Sequence, residues 1–464
     1  MMQRWRVERD ALGEVRVPLK AYYGAGTVRA SEIFQITGRR PRPELIRALA
    51  LVKIAAAWAN SAVAAIDPEL GNAIARAGKE VAGGELADEF VVDPYEAGAG
   101  TSTHMNVNEV LANRAEEIIT GQYGEYVRVH PNDHVNASQS SNDVFPTAVR
   151  IAILEGNRGL LLELQRLVEA LRAKGDQFAD LVKSGRTHLQ DAVPITLGQE
   201  FDAFAEMVAR AAGRIDQTAR ERVARLPIGG TATGTGFGTK PGYADRVMTW
   251  LVELTELPLH PAEDPIEIIR NHGDLGEFAG ALKGLALALS QICNDLRLMS
   301  MGPRTGLAEI ELPEVQPGSS IMPGKVNPAI PEMVNMVCMR VRGAEHTVSL
   351  AVEAGQLDLN AMIPVIADEI LESMRLLEGA VGALSDKCVP GIRPHPERLR
   401  AYAEDSLGLA TTLRPALGYA RAADIATKAY RMGRTIKQVV EEERLLTPSE
   451  LETMMDPHRY TERP

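Results

Sequence analysis

The stretch Leu275-Gly-Glu-Phe-Ala-Gly-Ala-Leu-Lys-Gly-Leu-Ala-Leu-Ala-Leu-Ser-Gln-Ile-Cys-Asn-Asp-Leu296 decides the fold class. Its apolar residues Leu275, Phe278, Leu282, Leu285, Leu289, Ile292 and Leu296 recur at steps of three and four with no proline, the repeat that lines one face of an α-helix. At the usual rise per residue this predicts a rod about 30 Å long. Working outward, Leu160, Leu164, Leu167 and Leu171 form a second such stripe, and Leu197, Phe201, Phe204 and Val208 a third, after a Pro194 read as helix-starting. Residues 347–380 predict one more long helix, kinked at Pro364. Strand-like segments are scarce, so the expected fold is mainly α, with a central bundle of long helices. Many of these helices carry Ala, Leu and Val on more than one face, which predicts association with further copies of the chain.

The composition sets the surroundings of that bundle. A chain of 464 residues is too long for one compact core, and three domains are expected: 1–140, of short, mostly helical amphipathic pieces with turn-rich sequence; 141–393, the long-helix bundle; and 394–464, of short and more charged helices. Lys and Arg number 50 against 62 Asp and Glu, a formal charge of -12 that argues against binding nucleic acid or an anionic membrane surface. Charges break the apolar runs before a bilayer-spanning length, and the start MMQRWRVERD is charged where a signal peptide needs apolar residues. A cytoplasmic location is expected. Cys293, Cys338 and Cys388 are far apart and set in apolar helical sequence, which predicts buried free thiols.

Chemistry is most concentrated in Gln316-Pro-Gly-Ser-Ser-Ile-Met-Pro-Gly-Lys-Val-Asn327, between helical patterns. Glycines there let backbone N–H groups converge on an anion, the serines add hydroxyls, and Lys325 and Asn327 add charge and directional donors. By residue type alone it is a catalytic loop or a polar surface loop. Gly98-Ala-Gly-Thr-Ser-Thr103 and Ser138-Gln-Ser-Ser-Asn-Asp143 are further clusters of hydroxyls and amides, and neither fits a nucleotide fingerprint. The glycine-rich run from Gly229 to Gly238 reads as a tight loop between helices. In Arg186-Thr-His-Leu-Gln-Asp191, His188 is read at a helix start, and a lone histidine is more often structural than catalytic. His130 and His134 bracket Pro131, which argues against a continuous helix and a metal there. Asp295 and Arg297 read as a locally paired polar strip.

Taken together, these stretches resemble the aspartase/fumarase superfamily, collinearly over essentially the whole chain. Gly318-Ser-Ser-Ile-Met-Pro-Gly-Lys-Val-Asn327 is similar to the superfamily's signature loop. Gly185-Arg-Thr-His-Leu-Gln-Asp-Ala-Val-Pro194 and Gly100-Thr-Ser-Thr-His-Met-Asn-Val-Asn-Glu109 resemble the other two family regions, with His130-Pro-Asn-Asp-His-Val-Asn136 leading into Ser138-Gln-Ser-Ser-Asn142. The resemblance implies a homotetramer whose active sites draw the three regions from different subunits, a small dicarboxylate substrate, and no cofactor or metal.

It also implies roles. Ser319 would be the catalytic base, and Thr101, Ser140, Ser141 and Ser320 would bind the carboxylate that accepts charge. Thr187, Lys325 and Asn327 would hold the other carboxylate, Asn142 and His188 would flank the leaving group, and Glu332 would pair with His188. Among family members, Ser102, which is counted with the substrate-binding residues, is aspartase-like, as are Tyr22-Tyr-Gly24, Gln190-Asp-Ala-Val-Pro194, Ile330-Pro-Glu332 and Glu353-Ala-Gly-Gln356. Ser141 is fumarase-like, while His104 and Arg414 replace the usual Asn. The expected activity is deamination of L-aspartate to fumarate; the alternatives are dehydration of L-malate to fumarate, as in class II fumarases, and a non-catalytic helical scaffold.

Overall fold

The computed structural model describes residues 4–461, and they are mainly helical. Five long helices, Ser141–Gln177, Leu197–Thr218, Gly273–Met299, Ala329–Glu353 and Ile363–Lys387, carry the stripes read from the sequence. Leu275, Phe278, Leu282, Leu285, Leu289, Ile292 and Leu296 are all buried, as are Leu160, Leu164, Leu167 and Leu171. Strands among the described residues form only two-stranded sheets. The predicted kink at Pro364 is instead a break between two helices. Asn360 explains it: its Nδ2 donates to the carbonyls of Ala351 and Val352 at 3.0 and 3.1 Å, closing the first helix, while its Oδ1 accepts the Met362 N–H at the start of the second. Pro364 then falls in a first turn, where a missing N–H costs nothing.

The chain divides into two compact units whose boundaries fall within the five long helices. The first comprises residues up to Leu161, with Gly213–Ala286 and Met339–Leu377. Its N-terminal part departs from the short pieces expected, holding 20-residue helices Pro43–Ala62 and Thr101–Thr120 besides an antiparallel hairpin, Trp5–Asp10 with Gly13–Pro18. Pro43–Ala62 is long and apolar enough by composition to cross a bilayer, yet Glu44, Arg47 and Lys53 interrupt it as expected, and 78% of its apolar stretch is buried inside the protein. Small residues make that burial possible. A Cβ at Gly78 of the neighbouring helix Pro68–Ala82 would lie 2.6 Å from Ile54, and one at Gly71 would lie 2.0 Å from Ser61. Glu109, buried on the Thr101–Thr120 helix, accepts the N–H groups of Gly24, Gly26 and Thr27 and the Thr27 hydroxyl, which ties the start of helix Ala25–Ile33 to it.

The second unit comprises Leu162–Ala212, Leu287–Cys338 and residues from Glu378 onward. Where a helix start was expected at His188, it has an antiparallel hairpin, Val182–Thr187 with Gln190–Thr196. Pro194 therefore lies in a strand, and the helix begins at Leu197. A buried ion network fixes the hairpin. Glu309, fully buried, meets Lys183 at 2.9 Å and Arg186 at 2.7 Å, and Lys183 also reaches Glu200 at 2.7 Å. The C-terminal helices Arg414–Met432, Ile436–Glu442 and Pro448–Met455 close on their own apolar cluster, including Leu413, Ile425, Val439 and Leu451. Capping boxes at Thr435 and Thr447 start the last two. Cys293, Cys338 and Cys388 are buried, as the apolar setting predicted. Within the polar strip of the long helix, Arg297 pairs locally with Asn294 and lies 3.9 Å from Glu332, while Asp295 feels Lys183.

Candidate active site

The sequence-selected residues fall in both units. Thr101, Ser102, Ser140, Ser141 and Asn142 belong to the first; Thr187, His188, Ser319, Ser320, Lys325, Asn327 and Glu332 belong to the second.

In the first unit, two helix starts lie together. A Cβ at Gly100, just before the Thr101 helix, would lie 2.3 Å from Phe145 of the Ser141 helix, and His104 Nδ1 is 2.8 Å from Ser141 Oγ. Gly98, Ala99 and Gly100 are all left-handed, turning the chain sharply into the helix, where the Thr101 hydroxyl donates to Gly98 O at 2.5 Å. Ser102 and Thr103 both bond to Glu96, whose carboxylate accepts the Thr103 N–H at 2.8 Å and fills the helix N-terminus. Burial pushes Glu96 up to about 7 in spite of those bonds.

The hydroxyl-rich 136–143 segment rests on buried charge that sequence reading did not assign. Lys53 and Asn60, seven residues and about two turns apart, share one face of the Pro43–Ala62 helix. Lys53 Nζ donates to Asn136 Oδ1 at 3.1 Å and to Gln139 Oε1 at 2.9 Å; Asn60 donates to Ala137 O and accepts from the Ser138 hydroxyl. Asp143 accepts the Ser140 N–H on one oxygen and the N–H groups of Gly229 and Thr231 on the other, all near 3.0 Å. Burial lowers the Lys53 amine well below its usual range, and it raises Asp143 to about 6 against the pull of three amides and Lys53. The glycine-rich run read as a bland loop is therefore part of this support, and Asn142 Nδ2 donates to its Ala232 carbonyl at 2.9 Å. The available signals were one lysine inside an apolar helix and an aspartate ending a hydroxyl cluster.

In the second unit, His188 and Leu189 form the tip of the hairpin, both exposed and both left-handed at φ 55° and 57°. Two-residue turns of this kind suit Asn-Gly, and a β-carbon at each place carries strain, which clusters where function over-determines the backbone. Thr187 is the exposed residue entering the turn. The 316–327 loop closes on itself: Gly318 N–H donates to Lys325 O at 2.8 Å, and Asn327 Nδ2 donates to Gly318 O at 2.7 Å. A Cβ at Gly318 would sit 2.4 Å from Lys325 O, so only glycine fits the pinch. Inside it, the N–H groups of Ile321 and Met322 donate to Ser319 Oγ at 3.3 and 3.0 Å. Ser320 and the Lys325 side chain are exposed, and Glu332, in the next helical turn, has Arg297 at 3.9 Å. As the proline predicted, no one helix holds both histidines: His134 lies in the short helical turn Pro131–Val135, and His130 caps it from outside in extended backbone, its Nδ1 accepting the Asn132 and Asp133 N–H groups while its own N–H donates to His134 Nδ1.

Comparison with known proteins adds ancestry to this geometry. A family model described as lyase matches residues 13–343, and one described as fumarase C C-terminus matches 409–462. The chain is 46% identical to an aspartate ammonia-lyase of Pseudomonas aeruginosa over 97% of this chain and 96% of that one. It is 44% identical to a class II fumarate hydratase of Thermosynechococcus vestitus over 96% of each. The chain belongs to the aspartase/fumarase superfamily. A solved superfamily structure, fumarate lyase:delta crystallin from Brucella melitensis bound to cobalt, superposes with a TM-score of 0.96 at 47% identity, covering 99% of this chain and 100% of that one. The superfamily fold thus accounts for the long helices and the signature loop together.

Proposed function

We propose that the protein is an aspartate ammonia-lyase, converting L-aspartate reversibly to fumarate and ammonia, with Ser319 as the base. The observation that carries this reading is the pair of N–H groups, from Ile321 and Met322, aimed at Ser319 Oγ. A serine hydroxyl is a poor base unless its oxyanion is stabilised, and two fixed amides with the Lys325 ammonium nearby in the loop supply that stabilisation. Ser319 then takes the proton from carbon 3, and the electron pair moves into the adjacent carboxylate as an aci-carboxylate. Collapse of that intermediate expels ammonia from carbon 2 on the opposite face, an anti-elimination. Ser140, Ser141, Thr101 and Ser320 are assigned to the carboxylate that accepts charge, since neutral donors stay in place as the charge develops. Thr187, Lys325 and Asn327 are assigned to the other carboxylate, and Asn142 and His188 to the leaving group, with Glu332 as the partner of His188.

On this reading the donors of one site come from different copies of the chain in a homotetramer. Met336, Met339 and Leu350, exposed along the Ala329–Glu353 helix, support such an assembly because that stripe needs apolar partners. The division at 140/141 and 393/394 then separates the regions into an N-terminal domain, a helical core and a C-terminal domain, and the cytoplasm is the natural location for this metabolism. Aspartate is preferred to malate on Ser102, Pro331 and residues 353–356, and on curated relatives named aspartate ammonia-lyase at 43–46% identity. The fumarate hydratase at 44% keeps malate as the second reading. Incubating purified protein with L-aspartate and, separately, with L-malate while following fumarate tests the choice. Aspartate should be deaminated and malate barely dehydrated; robust malate dehydration without ammonia release overturns it.

A further inference from the structure

His104 lies on the second turn of the Thr101 helix, completely buried, with its Nδ1 2.8 Å from Ser141 Oγ. Its other ring nitrogen, Nε2, is buried without a hydrogen-bond partner. The Ser141 hydroxyl, on a partly buried residue, has no other hydrogen-bond partner among the described residues. We propose that His104 is a positioning residue that donates Nδ1–H to Ser141 Oγ, and so turns the Ser141 hydroxyl into an obligate outward donor for a substrate carboxylate. The inference rests on the carboxylate-binding role given to Ser141 above.

Two arguments fix the direction of the bond. Burial, reinforced by the Lys53 amine, lowers the imidazole well below its usual range, so the ring is neutral and holds one proton. If that proton were on Nε2, an N–H would be buried unpaired, and orphaned buried donors are rarer and costlier than bare acceptors. Placed on Nδ1, it enters a hydrogen bond and leaves only a lone pair at Nε2. Ser141 then accepts from the histidine, and its own O–H has no acceptor among the described residues. A hydroxyl free to choose would present a lone pair to a carboxylate part of the time, which is repulsive. The imidazole removes that choice.

The test is a double-mutant cycle on the assembled enzyme, read by calorimetric binding of succinate, which has both carboxylates and no leaving group, and by KM and kcat for L-aspartate. His104→Leu should weaken succinate binding and raise KM together by about tenfold, the worth of one buried hydrogen bond, with kcat less affected. Ser141→Ala should do the same, and the double variant should be no weaker than Ser141→Ala alone. His104→Asn, which keeps an N–H donor, should restore much of the affinity. Additive losses in the double variant, or a His104→Leu protein that loses thermal stability with unchanged succinate affinity, would overturn the proposal. Imidazole nitrogen NMR of the wild-type protein, with His104→Asn for assignment, gives a reading that needs no destabilised variant: a proton on Nε2 sinks the idea. Wild-type protein that turns over neither substrate but shows the coupled succinate losses would discard the activity and keep the pair; wild-type protein that binds no succinate discards both.

Discussion

The 136–143 segment and the 316–327 loop carry the same kinds of side chain, hydroxyls and amides, yet they are held by opposite means. The first is seated on buried Lys53, Asn60, His104 and Asp143, so the Ser138 and Ser141 hydroxyls and the Ser140 N–H are each held by a group that water cannot reach. The second is mostly exposed, and apart from its flanks its geometry comes from bonds it makes to itself, Gly318 to Lys325, Asn327 to Gly318, and two amides to Ser319. The difference matches the two chemical tasks proposed. Donors for a charge that develops during reaction gain most from being fixed beforehand. A base that must meet its proton and then exclude water gains from sitting on a segment able to close.

The largest expected effect lies in the exposed loop and should leave stability untouched. Ser319→Ala removes the base while sparing the amides and Lys325, so kcat should fall by about a hundred- to ten-thousandfold. Succinate affinity and the melting temperature should stay close to wild type. Near-normal turnover would show that another group takes the proton. The buried seat should respond in the reverse sense. Lys53→Met leaves Asn136 Oδ1 and Gln139 Oε1, both on partly buried residues, without their buried donor, at about 1–3 kcal/mol for an unpaired polar group. Thermal stability and dicarboxylate affinity should therefore fall together. A Lys53→Met protein that melts like wild type and binds succinate normally would erase the contrast between the two segments.

How much of this was legible beforehand follows the same division. The exposed loop was readable because its chemistry is local: Gly318, Ser319, Lys325 and Asn327 lie within ten residues, and their pinch needs no distant partner. The long helices were readable because their spacing is periodic and their stripes are buried. The seat under the 136–143 segment was not, since it joins Lys53, His104, Asp143 and Gly229 across more than 170 residues of chain, and a single lysine in an alanine-rich helix looks like its solvent face. The hairpin at 182–196 was missed for another reason. Pro194 usually marks a helix start, and His188-Leu189 is a pair that a two-residue turn rarely uses, so the local signals named the wrong element. Asn360 likewise sits outside both helices it caps, which is why the 347–380 pattern read as one kinked rod.

The smallest expected effect is a pH signature in the buried seat's neighbour, Glu96, for which the exposed loop has no counterpart. Burial raises this carboxylate from 4.5 to about 7, while the N–H groups and side chains of Ser102 and Thr103 pull the other way without prevailing. The folded protein thus holds the Glu96 proton more tightly than the unfolded chain does. Its contribution to stability is fully present below pH 4.5 and is lost as the pH rises through about 7. A glutamine keeps the carbonyl that accepts the Thr103 N–H and cannot ionise. Glu96→Gln should therefore melt near the wild-type temperature at about pH 5, where Glu96 is still protonated, and a few degrees above it at about pH 8.5. The Gly98–Gly100 turn ahead of Thr101 depends on the same cap, so KM for L-aspartate should lose part of its pH dependence between these values in the variant. A melting difference that stays constant with pH, or that favours the wild type at the alkaline end, would mean that the amides of the Thr101 helix hold Glu96 ionised, and that charge already occupies the helix start where a substrate carboxylate is proposed to bind.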